Sequence, residues 1–338
     1  MRPLCGVPPG SPEPAAGRRS LGAALHRVPG ETGKRPALTV CGPQKARLAF
    51  NPSPVPISPH RSLISELADS LFAVVFPTKC SICNGEVACV SGLGVCQACW
   101  AGVEPWEGIA CERCGIPIVS DRAADALRVL CGECRADLPD FDVARSYGIY
   151  RGNLRQLILQ LKFRRRERLG RKLGTLLAHA WQKLGGFDPA NPPLIAPVPL
   201  FHSRERERGF NQSRLLAEGL RNRIEKLPGG IKIGLDAHLL VRTRATSPQA
   251  RLKFQARKEN VRGAFAVGKP ESVRGRHIIL VDDVMTTGAT LSACAAALKK
   301  AGAAKVAALA LARATPLFPD HEVLPHPPGV DEFNRDWT

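Results

Sequence analysis

From Ser146 onward the chain alternates short unbroken apolar runs with stretches whose apolar residues recur every three or four positions. The runs read as buried strands and the 3.6-residue period as helices with one face against a core. Strands are predicted at Ser146–Tyr150, Leu194–Leu200, His277–Asp282 and Lys305–Ala312, with shorter ones at Leu239–Arg242 and Ala264–Val267. Helices are predicted at Leu154–Lys162, Leu169–Leu184, Asn211–Ile224 and Gly288–Lys300, the last closed by Gly302 as a C-cap. Such alternation predicts an α/β fold, a mostly parallel sheet with helices on both faces. Ligands then belong at the carboxyl ends of the strands.

The chain upstream follows another pattern. Leu63, Ile64, Leu67, Leu71 and Phe72 predict a short amphipathic helix ending before Pro77. The sequence then turns Cys- and Gly-rich, with too few large apolar residues to fold on a core alone. Residues 1–61 are rich in Pro, Gly, Ala and Arg and have no period, so disorder is expected there, and residues 316–338 read as a second loose tail. The predicted division is therefore a 1–61 extension, a 62–140 cysteine-rich module, a 141–315 α/β domain and a 316–338 tail. The longest apolar stretches, around Leu71–Phe76 and Ala303–Ala312, fall short of the ~20 residues of a membrane-spanning helix, and Leu21–Leu25 is too short for a signal peptide. No membrane anchor and a cytoplasmic location are expected.

Charge sharpens the picture of the α/β domain. The whole chain is +18, but residues 141–315 alone hold 33 basic and 12 acidic residues, a net +21. Such a field attracts polyanions, phosphate esters and nucleic acid among them; a merely solvated basic surface is the plainer reading.

Eight of the twelve cysteines form four CxxC pairs: Cys80/Cys83, Cys96/Cys99, Cys111/Cys114 and Cys131/Cys134. Two residues between thiols let a tight turn aim both sulfurs at one tetrahedral Zn²⁺. Four pairs within 55 residues predict two Cys₄ zinc sites, with sequential pairing preferred over crossed. Disulfides would need an oxidising compartment, and a redox CxxC stands alone rather than fourfold; an iron–sulfur site is the weakest alternative. With four thiolate ligands each, the zincs are expected to be structural. Cys5, Cys41, Cys89 and Cys294 are left over, Cys294 as a small buried residue of its helix.

The most informative segment is IILVDDVMTTGAT, Ile278 to Thr290. Four apolar residues deliver Asp282 and Asp283 at a strand end, and a Thr/Gly turn then opens into a helix. Amides of Thr286–Thr290 and the helix macrodipole suit a phosphate monoester, and Gly288 permits close backbone approach. The two carboxylates can accept hydrogen bonds from a ribose diol. A generic metal-assisted strand–turn–helix site is the competing reading, which the TTGAT helix start disfavours.

VDDVMTTGAT closely resembles the motif with which type-I phosphoribosyltransferases bind 5-phosphoribosyl-1-pyrophosphate (PRPP). The CxxC module, YRGNLRQLILQLKF (Tyr150–Phe163), APVPL followed by RERGFNQSRLLA, and LLVRTRATSPQARLKFQARKENVRGAF (Leu239–Phe265) together resemble the ComF family, including its GntX-like members, over about residues 63–315. The resemblance implies a sheet of phosphoribosyltransferase type behind a double zinc ribbon and a link to natural competence and DNA uptake. It also implies that Asp282 and Asp283 contact the ribose hydroxyls, and that Met285, Thr286, Thr287, Gly288, Ala289 and Thr290 hold the 5′-phosphate. A pyrophosphate loop at Ala196–Leu200 would include Val198 and Pro199.

Around this centre, Arg208, Arg206 and Lys162 are candidate cations for a leaving pyrophosphate; Lys162 reads equally as one more member of the basic run Lys162–Lys172. Arg242–Arg262 suits a flap, with Thr246, Gln249 and Arg257 as contacts, or an ordinary exposed loop. The expected reaction has PRPP bound with Mg²⁺ and a nucleophile attacking C1 as pyrophosphate leaves; Asp282, Asp283, Lys162 and Arg208 carry it. No amino-terminal nucleophilic cysteine suits a glutaminase. The alternative is a PRPP or nucleotide sensor that engages single-stranded DNA through its basic surface.

Overall fold

The computed structural model describes residues 78–87, 93–119, 129–163, 166–185, 187–188, 190–245 and 259–318. The helix expected at Leu63–Phe72, the extension 1–61, most of the 316–338 tail, Cys5, Cys41, Cys89, and Thr246, Gln249 and Arg257 lie outside them. The cysteine-rich part contains β1 (Thr78–Lys79), β2 (Glu86–Val87), α1 (Gln97–Ala101) and α2 (Gly132–Ala136). Then follow β3 (Val143–Ile149), α3 (Gly152–Phe163), α4 (Glu167–Gln182), β4 (Leu194–Pro197), α5 (His202–Arg208), α6 (Gln212–Glu225) and β5 (Gly234–Leu235). The chain continues through β6 (Leu240–Arg242), β7 (Phe265–Val267), β8 (His277–Met285), α7 (Ala289–Lys300) and β9 (Lys305–Arg313).

Strands β3, β9, β8, β4 and β5 form, in that order, one sheet whose ladders are all parallel. Its central strands read as continuous apolar runs because both faces are covered. Ile279, Val281, Leu309 and Leu311 face a core built with α3, α4 and α6, while Ile278, Leu280, Ala308 and Ala310 face one built with α7. The strand β8 runs to Met285, beyond the Asp282 at which its apolar run stops, because Val284 and Met285 still pair with Ala312 and Arg313 of β9. Helix α5 was not predicted; its HSRERER sequence has no apolar period and buries nothing. The segments Leu240–Arg242 and Phe265–Val267 do not join the sheet but pair antiparallel with each other.

Helices α4 and α6 cross through glycine. A methyl group on Gly174 would strike the Leu216 carbonyl, and one on Gly219 the Arg171 carbonyl. This close approach fixes where the amino end of α6 meets the sheet.

The cysteine-rich part packs on both cores, Cys80, Ile82, Val95 and Cys99 joining the first and Cys111, Cys114 and Cys134 the second. Cys80, Cys83, Cys96 and Cys99 gather their sulfurs within 4.8 Å of one another, as do Cys111, Cys114, Cys131 and Cys134, so the pairing is sequential. Cys83 and Cys96 sulfurs lie 3.7 Å apart, as do those of Cys114 and Cys131. That is far from a bond, and close to the about 3.8 Å edge of a tetrahedron with ~2.3 Å zinc–sulfur arms. Backbone amides point at the sulfurs: Cys96 N–H donates to Cys80 Sγ at 3.3 Å, and Cys131 N–H to Cys111 Sγ at 3.3 Å. Burial resists ionisation of Cys80, but amides of Cys96, Cys83 and Ile82 outweigh it and bring the thiol down to about 6. Burial and the charge on Cys111 instead push Cys134 up to about 12. Four thiols of one cluster cannot all ionise without a cation, and the donor set fits zinc.

Two outcomes are expected. Elemental analysis should find two zinc ions per chain, and Cys111→Ser should leave one, with the melting temperature lowered. Gly174→Ala should destabilise the fold by about 2 kcal/mol, read as a lowered urea midpoint at unchanged slope.

Candidate functional site

A cavity of about 620 Å³ opens at the carboxyl ends of β4, β8 and β9. Its lining includes Lys162, Val198, Pro199, Arg208, Asp282, Asp283, Thr286, Thr287 and Thr290, so nine residues singled out from the sequence meet in one place. Arg206 is exposed and lies off the cavity.

The two acids have different surroundings. Asp283 points its Oδ2 at Lys162 Nζ, 3.2 Å away, and both residues are only 5% exposed. Lys162 is therefore no part of a solvated basic face. Its helix α3 delivers it inward, and a buried ammonium needs such a carboxylate beside it. Asp282 accepts two bonds on Oδ1, from Ser213 Oγ and from the Asp283 amide, each 2.9 Å. Among the described residues no hydrogen bond reaches its Oδ2. Desolvation and the neighbouring Asp283 push the Asp282 carboxyl up to about 7, against the Asp283 amide, Ser213 and Lys162.

The turn after β8 behaves only partly as its sequence suggests. Thr286, Thr287 and Thr290 face the cavity at the start of α7. Thr287 Oγ1 also accepts from the Ala289 amide at 3.3 Å, and Ala289 itself is 3% exposed. Met285 sends its side chain into the second core. Gly288 sits at φ 80°, and a Cβ there would meet Met285 Cε at 2.7 Å. A left-handed backbone and the Met285 packing each call for glycine at this position.

The RGFNQS segment does more than its arginines suggested. Asn211 caps α6 by accepting from the Ser213 amide at 2.9 Å, and donates from Nδ2 to the Val198 carbonyl at 3.0 Å. One residue thus ties the loop after β4 to the helix that carries Ser213. Arg208 donates from Nη1 to Gln212 Oε1 at 3.0 Å and lies over the Phe163 ring. Desolvation lowers the guanidinium pKa of Arg208, with Asp283 opposing.

Sequence reasoning missed Ser213, Arg204 and Arg313, and saw Arg242 only as the edge of a flap. All four line the cavity. Arg313 is 1% exposed; its Nη1 donates to the Met285 carbonyl at 3.2 Å and to the Thr286 carbonyl, and Nη2 to Cys114 Sγ at 3.8 Å. Among the lining residues five are cationic, Lys162, Arg204, Arg208, Arg242 and Arg313, against the acids Glu133, Asp282 and Asp283. A cavity with this balance suits an anion that also offers hydroxyl groups. None of the described helices is long and apolar enough to cross a membrane.

Comparison with known proteins agrees with this construction. Residues 71–135 match the double zinc ribbon domain family, and residues 241–327 match the phosphoribosyl transferase domain family. The DNA utilization protein YhgH of Escherichia coli K12 is 34% identical over 241 residues, 70% of this chain and 97% of that protein. Competence protein F of Haemophilus influenzae is 30% identical over 242 residues, covering 71% and 98%. Competence protein ComFC of Bacillus subtilis is 27% identical over 226 residues, covering 65% and 84%. Among solved structures, a glutamine PRPP amidotransferase from B. subtilis complexed with ADP and GMP aligns at a TM-score of 0.28 and 19% identity over 49% of this chain and 33% of that one, too loose an overlay to carry an argument. With two relatives of at least 30% identity covered over nearly their whole length, and both zinc knuckles and the α/β domain in place, this chain belongs to the ComF family of phosphoribosyltransferase-domain proteins.

Proposed function

We propose that this chain binds PRPP, with Mg²⁺ as part of the substrate complex, and transfers its phosphoribosyl group with release of pyrophosphate. One observation carries the reading: Asp282, Asp283, the threonines of the α7 start, Lys162 and Arg208 converge on a single cavity. Asp282 Oδ2 and the Asp283 carboxylate would accept the hydrogen bonds of the ribose 2- and 3-hydroxyls. The amide ends of α7, with Thr286, Thr287 and Thr290, would hold the 5′-phosphate. Val198 and Pro199 would flank the pyrophosphate. As the bond from C1 to the pyrophosphate oxygen breaks, negative charge grows on the leaving group, and Lys162 and Arg208 stand ready to meet it, joined by Arg204 and Arg242. The acceptor's lone pair forms the new bond at C1.

The names carried by the relatives support extending a part in DNA use and natural competence to this chain. Eight thiols arranged for zinc favour a reducing compartment, the cytoplasm. A second reading keeps binding and drops turnover: a PRPP sensor that engages single-stranded DNA through the basic surface of residues 141–315, which is +21 overall.

Mg-PRPP offered with a panel of bases and amines should release pyrophosphate, and Asp282→Asn with Asp283→Asn should cut that release by at least ~100-fold. PRPP binding without turnover, joined by DNA binding that weakens steeply with salt, would favour the sensor instead. The elevated carboxyl of Asp282 makes a further prediction. From the unfolded chain it loses its proton near its ordinary 3.8, but in the native state only near 7, so native stability declines as pH rises between those values. Asp282→Asn should therefore melt roughly 2–4 °C above wild type at pH 8, with the gap closing toward pH 4. A gap that widens on acidification would contradict the assignment.

A further inference from the structure

The second zinc knuckle reaches the cavity directly at two places and indirectly at a third. Ile116, from the turn after Cys114, and Glu133, from the helix between Cys131 and Cys134, both line it. The third contact is indirect and runs through Arg313. This guanidinium ends the strand β9 and is buried among the Cys114 sulfur and the carbonyls of Met285 and Thr286. Those two carbonyls stand at the entrance of the turn whose threonines Thr286, Thr287 and Thr290 line the cavity. Gripping both from one nitrogen fixes the direction in which the next peptide groups point.

The knuckle itself is rigidly seated. The Ala144 amide donates to the Arg113 carbonyl at 2.8 Å, and Arg145 Nη1 donates to the carbonyls of Glu112 and Ala144 at 2.9 and 2.8 Å. A Cβ on Gly115 would meet the Ala144 carbonyl oxygen at 2.7 Å, so the knuckle turn lies flush against β3. A zinc with four thiolates carries a net charge of −2, and a cation buried against it gains a counter-charge that water cannot supply. Among the described residues the first knuckle makes no such contact with this turn. Its Ser81 instead receives Gln160 of α3, with Nε2 donating to the Ser81 carbonyl at 2.9 Å.

We propose that the second zinc knuckle is part of the sugar-phosphate site, with Arg313 as the positioning residue that transmits its occupancy to the turn Thr286–Thr290. Resting on the PRPP reading for the identity of the ligand, the proposal assigns Arg313 no part in bond breaking. Zinc in the Cys111–Cys114–Cys131–Cys134 cluster holds Cys114 as a thiolate in place. Arg313 is thereby held, and through it the turn is set before any ligand arrives. Losing either element leaves the carboxylates and Lys162 in position and loosens the phosphate end alone.

Arg313→Met removes the charge, Arg313→Lys keeps it but cannot reach three acceptors, and Cys134→Ser empties the second knuckle from a residue off the cavity lining. Native mass spectrometry counts zinc, amide hydrogen exchange of the ligand-free protein reads the peptide spanning Thr286–Thr290, and calorimetry reads Mg-PRPP affinity. Both Arg313 variants should retain two zincs and Cys134→Ser one. All three should exchange faster at this turn and bind Mg-PRPP at least tenfold more weakly, and Arg313→Met combined with Cys134→Ser should weaken binding little more than either alone. Exchange at the turn and affinity within twofold of wild type in the Arg313 variants, or fully additive losses in the double variant, would overturn the proposal. If Arg313→Met does not fold, Arg313→Lys decides by the same readings. Should wild type bind no Mg-PRPP, the sugar-phosphate reading falls, while the exchange rates still decide whether zinc and Arg313 set this turn.

Discussion

Two adjacent carboxylates, held near the carboxyl end of a buried parallel strand, are the constraint around which this protein is arranged. Burying Asp282 and Asp283 next to each other strips them of water at a cost, and each needs a partner drawn from elsewhere in the fold. Asp283 receives Lys162 from α3, and Asp282 receives the Ser213 hydroxyl from α6. Neither partner is a neighbour in sequence, so the sheet order and the glycine crossing of α4 and α6 serve in part to bring them in. The desolvation of Asp282 that these partners leave uncompensated costs stability, which is consistent with the proposed ligand site.

The zinc knuckles extend the same logic. They replace the apolar core that the cysteine-rich segment lacks, and each is stitched to one side of the site. Ser81 of the first knuckle meets Gln160, two residues before Lys162 on the same helix. Cys114 of the second meets Arg313, which grips the turn before α7. The metal module therefore packs as a support of the cavity and shares its two cores with the α/β domain.

How much of this was legible in the sequence depends on how local each element is. The strand Ile278–Val281, its acids and the threonine turn could be read directly, because every part of that unit lies within thirteen residues. The sequential pairing of the CxxC motifs was legible for the same reason. Lys162 was visible only as one of two readings, since burial against Asp283 depends on packing that periodicity does not report. Ser213 and Arg313 were invisible as site residues: their partners lie 69 and 199 positions away, at Asp282 and Cys114. Arg313 was further disguised by ending an apolar strand, where an arginine reads as the start of a loop. Gly288 was legible as a glycine of the turn, and its positive φ and its contact with Met285 add a backbone reason for it.

The proposed function requires the two carboxylates to grip a sugar diol. Calorimetry comparing ribose 5-phosphate with 2-deoxyribose 5-phosphate, at equal magnesium and pH 8, tests this most directly, because the two differ by a single hydroxyl. Loss of at least about tenfold in affinity for the deoxy sugar is expected, since a buried acid left without its donor is penalised. Equal affinity for both sugars, or no binding of either by the folded, zinc-loaded protein, would contradict it.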